Sequence, residues 1–405
     1  MKPILRAERM KPVHSDIRGP LFVEAMKRQK QGIDVLKLNT GNPATFGFGL
    51  PDSIKNALME HMQDGVGYCD FKGMPQARQA ICDYETSKGI TGITPDDVFI
   101  GNGVSEVVSF ALTPLLNDGD EVLVPSPSYS LWGNSVYLED GKPVFYTCDE
   151  KANWYPDIQD IRSKITEKTK AIVIINPNNP TGVLYPKELL LEIIQIARES
   201  GLLIFADEIY DRLVMDGKQH ISLASLTEDV PVITLNGLSK SHCLCGYRCG
   251  WMGISGPREL TEDYRQGIIQ LTSLRLCANT MAQIVIPAAL DDMETPASMI
   301  RPGGRIYEQR EATVRELEKI NGLSFVKNDA AFYVFPKLDV KKFNITNDKQ
   351  FAHDLLDATN ILLVPGSGFD WKDPDHFRIV MLPQADVLSD AIRRMGTFLD
   401  GYKQK

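Results

Sequence analysis

Asp207, Tyr210, Lys240 and Arg248 each stand beside a short apolar run. Together they could hold an anionic small molecule and act on a carbonyl. Asp207 ends the run Leu202-Leu-Ile-Phe-Ala206, and a carboxylate at the end of a buried run faces a desolvation cost unless a cation or donor meets it. Tyr210, three residues on, projects to the same side if a helical turn begins there. Lys240 follows Val232-Ile-Thr-Leu235, and partial desolvation is expected to lower its pKa and make its amine a nucleophile toward carbonyls. Arg248 precedes the next apolar run and is well placed for a phosphate.

Three further segments follow the same rule. Val98-Phe-Ile100 leads into Gly101-Asn-Gly103-Val-Ser-Glu106, where free N–H groups at a helix start suit a phosphate and Ser105 adds a hydroxyl. Tyr129 and Trp132 follow Glu121-Val-Leu-Val124, where a ring could lie on a planar ligand or fill the core. Asn176-Pro-Asn-Asn-Pro-Thr-Gly182 has no regular pattern and carries three amide side chains. Any one of these also reads as ordinary structure. Their recurrence at successive run ends is what points to a site.

The elements that must position them form an alternating series. Between about residues 50 and 290, helix-length amphipathic stretches alternate with short apolar runs, the pattern of an open α/β sheet with buried, mostly parallel strands. Ligands of such sheets bind beyond the carboxyl ends of the strands. A helical stretch over Pro20 to Gln31 and a short run at Val35–Leu38 come before the series. After about 300 a charged helix (Gly304 to Ile320) precedes Leu323–Val326 and Ala331–Phe335, which look like antiparallel strands. Ile361–Val364, Phe377–Val380 and a final helix complete the chain. The expected organisation is an N-terminal segment (1–45) joining a smaller α+β domain (301–405), with a large domain (46–300) inserted between them.

With 405 residues, 43% hydrophobic and 24% charged, the chain has the composition of a globular protein. A net charge of −9 lacks the footprint of a nucleic-acid binder and does not favour anionic membranes. No run is long enough to span a bilayer, and the first twenty residues lack the apolar core of a signal peptide. Seven cysteines without framework spacing read as reduced thiols in a cytoplasmic protein. His242, Cys243, Cys245 and Cys249 crowd together, but their spacing fits no paired-ligand pattern, so no metal is expected.

Asn179-Pro-Thr-Gly182, Asp207-x-x-Tyr210, Ser239-Lys240, Arg248 and a late arginine at Phe377-Arg378-Ile-Val occur in the order and spacing of a known family. Over essentially its whole length the chain resembles the fold-type I, class I/II pyridoxal-phosphate aminotransferases. Ser15–Pro20, Leu38–Pro43, Gly67–Asp70, Arg275–Asn279 and Pro302–Gly304 are similar to the bacterial alanine (glutamate–pyruvate) branch. The resemblance implies that Lys240 holds pyridoxal 5'-phosphate as a Schiff base and shuttles the proton. It implies that Asp207 pairs with the pyridinium nitrogen and that Tyr210 and Asn179 donate to the ring oxygen. Arg248, Ser105, Ser239 and the backbone at Val104 would hold the phosphate, with Tyr129 stacked on the ring. Tyr68 would reach the phosphate of a second subunit, which implies a homodimer. Arg378 would bind the α-carboxylate as a bidentate fork, with Gly41 and Asn179 lining the substrate. Arg18, or failing it Arg275, would take the distal carboxylate of 2-oxoglutarate.

The expected reaction is L-alanine plus 2-oxoglutarate to pyruvate plus L-glutamate, with ping-pong kinetics. The alternatives are an aspartate, aromatic or branched-chain aminotransferase or a C–S β-lyase on the same fold, and more remotely a regulator built on that fold. One departure stands out. Many members carry a hydroxyl three residues before the lysine, where this chain has Gly237, so the phosphate must lean on Ser239, Arg248 and the Gly103 turn.

Overall fold

The computed structural model describes residues 3–405. The helix Pro20–Lys30 leads to a two-residue strand, β1 (Leu36–Lys37). Eight strands then build one sheet: β2 (Val98–Asn102), β3 (Glu121–Ser126), β4 (Lys142–Asp149), β5 (Tyr155–Pro156), β6 (Thr169–Ile175), β7 (Leu203–Asp207), β8 (Val232–Gly237) and β9 (Cys249–Ser255). Their order across the sheet is β2-β9-β8-β7-β6-β3-β4-β5.

The pairs β4/β3, β3/β6, β6/β7 and β7/β8 are parallel. Alternation along each strand feeds two apolar layers. Ile172, Ile174 and Ile204 face one cluster, while Ala171, Val173, Ile175 and Phe205 face the other. Helices cover both layers. In Lys187–Ser200 the buried Leu189, Leu190, Ile193, Ile194, Ile196 and Ala197 form one stripe, and Gly201 closes the helix in the left-handed conformation (φ 65°). The sequence places β9 in the same series as its neighbours, but the structure runs it antiparallel to both β8 and β2. The segment between β8 and β9 holds only short helical turns (Leu238–Ser241 and Cys245–Tyr247), too little chain for a parallel crossover.

The C-terminal part adds β10 (Leu323–Ser324), β11 (Tyr333–Val334), β12 (Lys337–Leu338), β13 (Ile361–Leu362), β14 (Val364–Pro365) and β15 (Phe377–Val380). The Leu323 and Ala331 stretches do not pair with each other. β10 pairs with β12, and β11 and β14 flank β15, all antiparallel. β1 lies parallel to β13, so Leu38 joins Leu317, Phe343, Phe351, Phe377, Ile379 and Leu388 in one core. Among the described residues no single helix is long and apolar enough to cross a membrane.

Candidate active site

Parallel strands end on one side of the sheet, and the singled-out residues gather there: most follow a strand end, and Arg248 precedes the antiparallel β9, whose start lies on the same side. Asp207 closes β7. Its buried carboxylate accepts from Trp132 Nε1 through Oδ2 (3.1 Å) and from the backbone N–H of Ile209 through Oδ1 (3.3 Å). Burial pushes its pKa up to about 6, against the pull of those two donors. Trp132 is fully buried with its ring 5.4 Å from Phe205. Trp132 thus fills the core, as one of its two readings expected, and its indole N–H reaches the Asp207 carboxylate.

Lys240 sits on the one-turn helix Leu238–Ser241 and donates to the Gly41 carbonyl at 2.9 Å. The expectation that desolvation lowers its pKa is corrected. Burial does push it down, but the Tyr333 phenol, the Cys245 thiol and the Tyr129 phenol favour the ammonium, and the net direction is up.

Tyr210 is buried and its hydroxyl meets that of Tyr333 at 3.0 Å. Arg378 on β15 is 1% exposed and lies between the rings of Tyr333 and Phe369, each 4.6 Å away. It donates to Asn179 Oδ1 (2.9 Å) and to the Asn39 carbonyl, while its Nε has no partner among the described residues. Asn179 spends its oxygen on Arg378, so its NH2 end is available.

The Gly103 turn and Arg248 form a cradle. A Cβ at Gly103 would collide with the Arg248 guanidinium, which donates to the carbonyls of Cys245 (3.0 Å) and Asn102 (3.4 Å). The helix Val104–Leu112 starts there, bringing the Val104 amide and Ser105 to the same place. The Gly237 departure also has a physical cause. A Cβ there would sit 2.6 Å from the Cys249 carbonyl and 3.0 Å from Gly250 Cα, so the β8–β9 pairing admits no side chain.

Other expected residues fall outside this cluster. Tyr68 is 82% exposed and makes no hydrogen bond among the described residues. Arg18 is exposed, but the neighbouring Ile17 carbonyl accepts from Asn39, whose own carbonyl accepts from Arg378. Arg275, the second candidate for a distal carboxylate, has its guanidinium engaged by Glu106 (2.5 Å) and by the carbonyls of Phe71 and Ile100. The His242 and cysteine cluster diverges. His242 meets Ser241 and the Asp292 carbonyl, Cys243 meets Met299, and Cys245 donates to the Ser239 carbonyl.

Sequence reasoning missed Asn39, Phe332 and Tyr333, which belong to segments outside the large sheet. It also missed a buried network behind β7. Lys88 lies 2.5 Å from Glu85, 2.9 Å from Glu208 and 3.5 Å from Asp211, and Asp211 accepts from Tyr84 and Asn236. Glu208, Asp211 and His220 have the spacing of a cation site, and the Lys88 ammonium already serves the two carboxylates.

The family model for class I and II aminotransferases matches residues 33–394. The glutamate-pyruvate aminotransferase AlaA of Haemophilus influenzae is 50% identical over 404 residues, covering 100% of both chains. A solved aminotransferase from Escherichia coli superimposes with a TM-score of 0.98 at 47% identity, again over 100% of both chains. The alanine aminotransferase from Pyrococcus furiosus gives 0.93 at 40% identity, over 98% of this chain and 100% of its own. Matched end to end in sequence and in fold, this chain belongs to the class I and II aminotransferases.

Proposed function

We propose that the chain transfers the amino group of L-alanine to 2-oxoglutarate, giving pyruvate and L-glutamate by ping-pong turnover. The observation that carries this reading is its full-length likeness to a glutamate-pyruvate aminotransferase. The buried Arg378, with its free Nε, supplies the carboxylate site that such substrates need.

The family's cofactor is pyridoxal 5'-phosphate, and the residues fit it. Asp207 has lone pairs to spare for a ring N–H, and the Gly103 turn under Arg248 has the shape of a phosphate cradle. Asp207 would meet the ring nitrogen, with Tyr210 and Asn179 at the ring oxygen and Tyr129 on its face. Val104, Ser105, Ser239 and Arg248 would hold the phosphate. When bound, the cofactor supplies an electron sink for the pair left at the substrate's Cα.

Arg378 would grip the α-carboxylate through a planar fork, with Gly41 and Asn179 bordering the substrate. Lys240 would take the Cα proton from the position where it now donates to Gly41. Arg18 would meet the distal carboxylate of glutamate and 2-oxoglutarate. Arg18→Ala should weaken those two substrates far more than alanine and pyruvate, and equal losses for all four would sink that role.

Residues 1–45 and 301–405 are read as one smaller domain and 46–300 as the larger. Tyr68, with the exposed Val66 and Leu274, is read as the contact to a second copy in a homodimer. Seven unpaired thiols suit the cytoplasm. The test is the cofactor's visible absorbance while amino acids are added one at a time without a keto acid. Alanine and glutamate should each bleach the yellow band. A response confined to aspartate or aromatic donors would overturn the substrate assignment.

A further inference from the structure

His376 lies two residues before Arg378 and is completely buried. Its Nδ1 is 2.6 Å from Asp375 Oδ1, and its Nε2 faces Glu150 Oε1 at 3.5 Å with no other partner among the described residues. Either neutral tautomer would turn a lone pair toward one of these carboxylates. Only the imidazolium presents an N–H to both. Lys337 is the remaining charge beside the group, 2.8 Å from Glu150 and 3.4 Å from Asp375, so a charged His376 leaves two cations against two anions. Trp371 Nε1 also donates to Asp375, at 3.0 Å.

Aromatic rings enclose the imidazole. Phe335 stacks on it at 4.9 Å, and Trp154 and Trp371 meet it edge-on at 5.1 and 5.3 Å. Phe335 also meets Phe369 edge-on at 6.0 Å, and Phe369 is one of the two rings on the Arg378 guanidinium. Glu150 comes from the turn after β4, at the edge of the large sheet, while Asp375 and His376 lead into β15. The imidazole therefore bolts the strand carrying Arg378 to the large sheet.

We propose that His376 is a positioning residue for carboxylate binding: as an imidazolium it bridges Glu150 and Asp375 and so sets where β15 and Phe369 hold Arg378. The proposal rests on the reading of Arg378 as the carboxylate site. Burial pushes His376 down, but the two carboxylates outweigh it and hold it above the usual 6.5. With its folded pKa raised, the bridge is complete below 6.5 and is lost as pH rises through that higher value.

The experiment uses the cofactor-loaded protein between about pH 6 and 9. Two quantities are followed: intrinsic tryptophan fluorescence, and inhibition by propionate, which is alanine without its titrating amine. The wild type should show a fluorescence step with a midpoint above 6.5, from Trp154 and Trp371, and the propionate inhibition constant should rise roughly fivefold across the same midpoint. His376→Gln should abolish the step and the fivefold change. Glu150→Gln, which keeps the ring, should move both midpoints down. The proposal is overturned if the wild type shows no step, if the step survives in His376→Gln, or if fluorescence steps while inhibition stays flat. Propionate inhibition left intact by Arg378→Lys would instead overturn the carboxylate reading beneath it, and this proposal with it.

Discussion

Replacing Trp132 by phenylalanine removes one donor from a buried carboxylate and leaves a small void in the apolar layer. Among the described residues the indole N–H is one of two donors on Asp207, at 3.1 Å, and the ring otherwise packs in the apolar layer near Phe205. A hydrogen bond to a charged group contributes about 1.5–3 kcal/mol. At 1.36 kcal/mol per pKa unit, its loss raises the carboxyl pKa by about 1–2 units. The starting value is about 6, so Asp207 in the variant titrates near ~7–8 and is substantially protonated at neutral pH. A neutral Asp207 has no charge to offer a protonated ring nitrogen. The assay is cofactor affinity of the cofactor-free protein, measured by absorbance across pH, with the melting temperature followed in parallel. The acid limb of the affinity profile should move up by about 1–2 pH units in Trp132→Phe. An unchanged limb in a variant that still folds would refute the assignment of Trp132 as the donor that keeps Asp207 ionised.

Asp207→Asn should abolish activity yet stabilise the cofactor-free protein. The native carboxyl titrates near 6 against an ordinary 3.8, so the folded state binds more protons between those values and stability falls as pH rises through them; above 6 the penalty approaches ~3 kcal/mol, which denaturant unfolding should recover in the variant at pH 7 but not at pH 3.5. Gly237→Ser restores the hydroxyl many relatives carry, but its Cβ would press on the Cys249 carbonyl at 2.6 Å; it should lower the melting temperature without tightening cofactor binding, and tighter binding would contradict the packing argument. Lys88→Met leaves Glu85, Glu208 and Asp211 buried without their cation, so it should cost about 3–5 kcal/mol in unfolding free energy at pH 7, and a loss below ~1 kcal/mol would mean the cluster protonates instead.

Where a residue's position depends on the strand it follows, the sequence located it well. Asp207, Lys240 and the Gly103 turn are each tied by a few covalent bonds to the end of an apolar run, and runs of that kind announce themselves through composition. The direction of β9 was less legible, because an apolar strand looks alike whichever way it runs; the length of the connection decides it. Tyr333 was hidden for a different reason. It sits in an aromatic stretch that reads as core, and only the fold brings its hydroxyl to Tyr210 and its ring to Arg378. The direction of the Lys240 shift also escaped, since desolvation argues downward while Tyr333 and Tyr129, which arrive from other segments, and the nearby Cys245 reverse the sign.

The sequence by itself therefore determined the series of strand ends, the residue types that stand at each end and, through motif order, the family. Those features are local: they need only the chain's own periodicity and the few residues after each run. Tertiary structure alone decided which groups share charge and hydrogen bonds. It set Trp132 against Asp207, Asn39 and Asn179 against Arg378, and Glu106 against Arg275, and it left Gly237 no room for a side chain. Hydrogen bonds and electrostatic shifts depend on distance in space and on burial. Neither quantity is a function of separation along the chain.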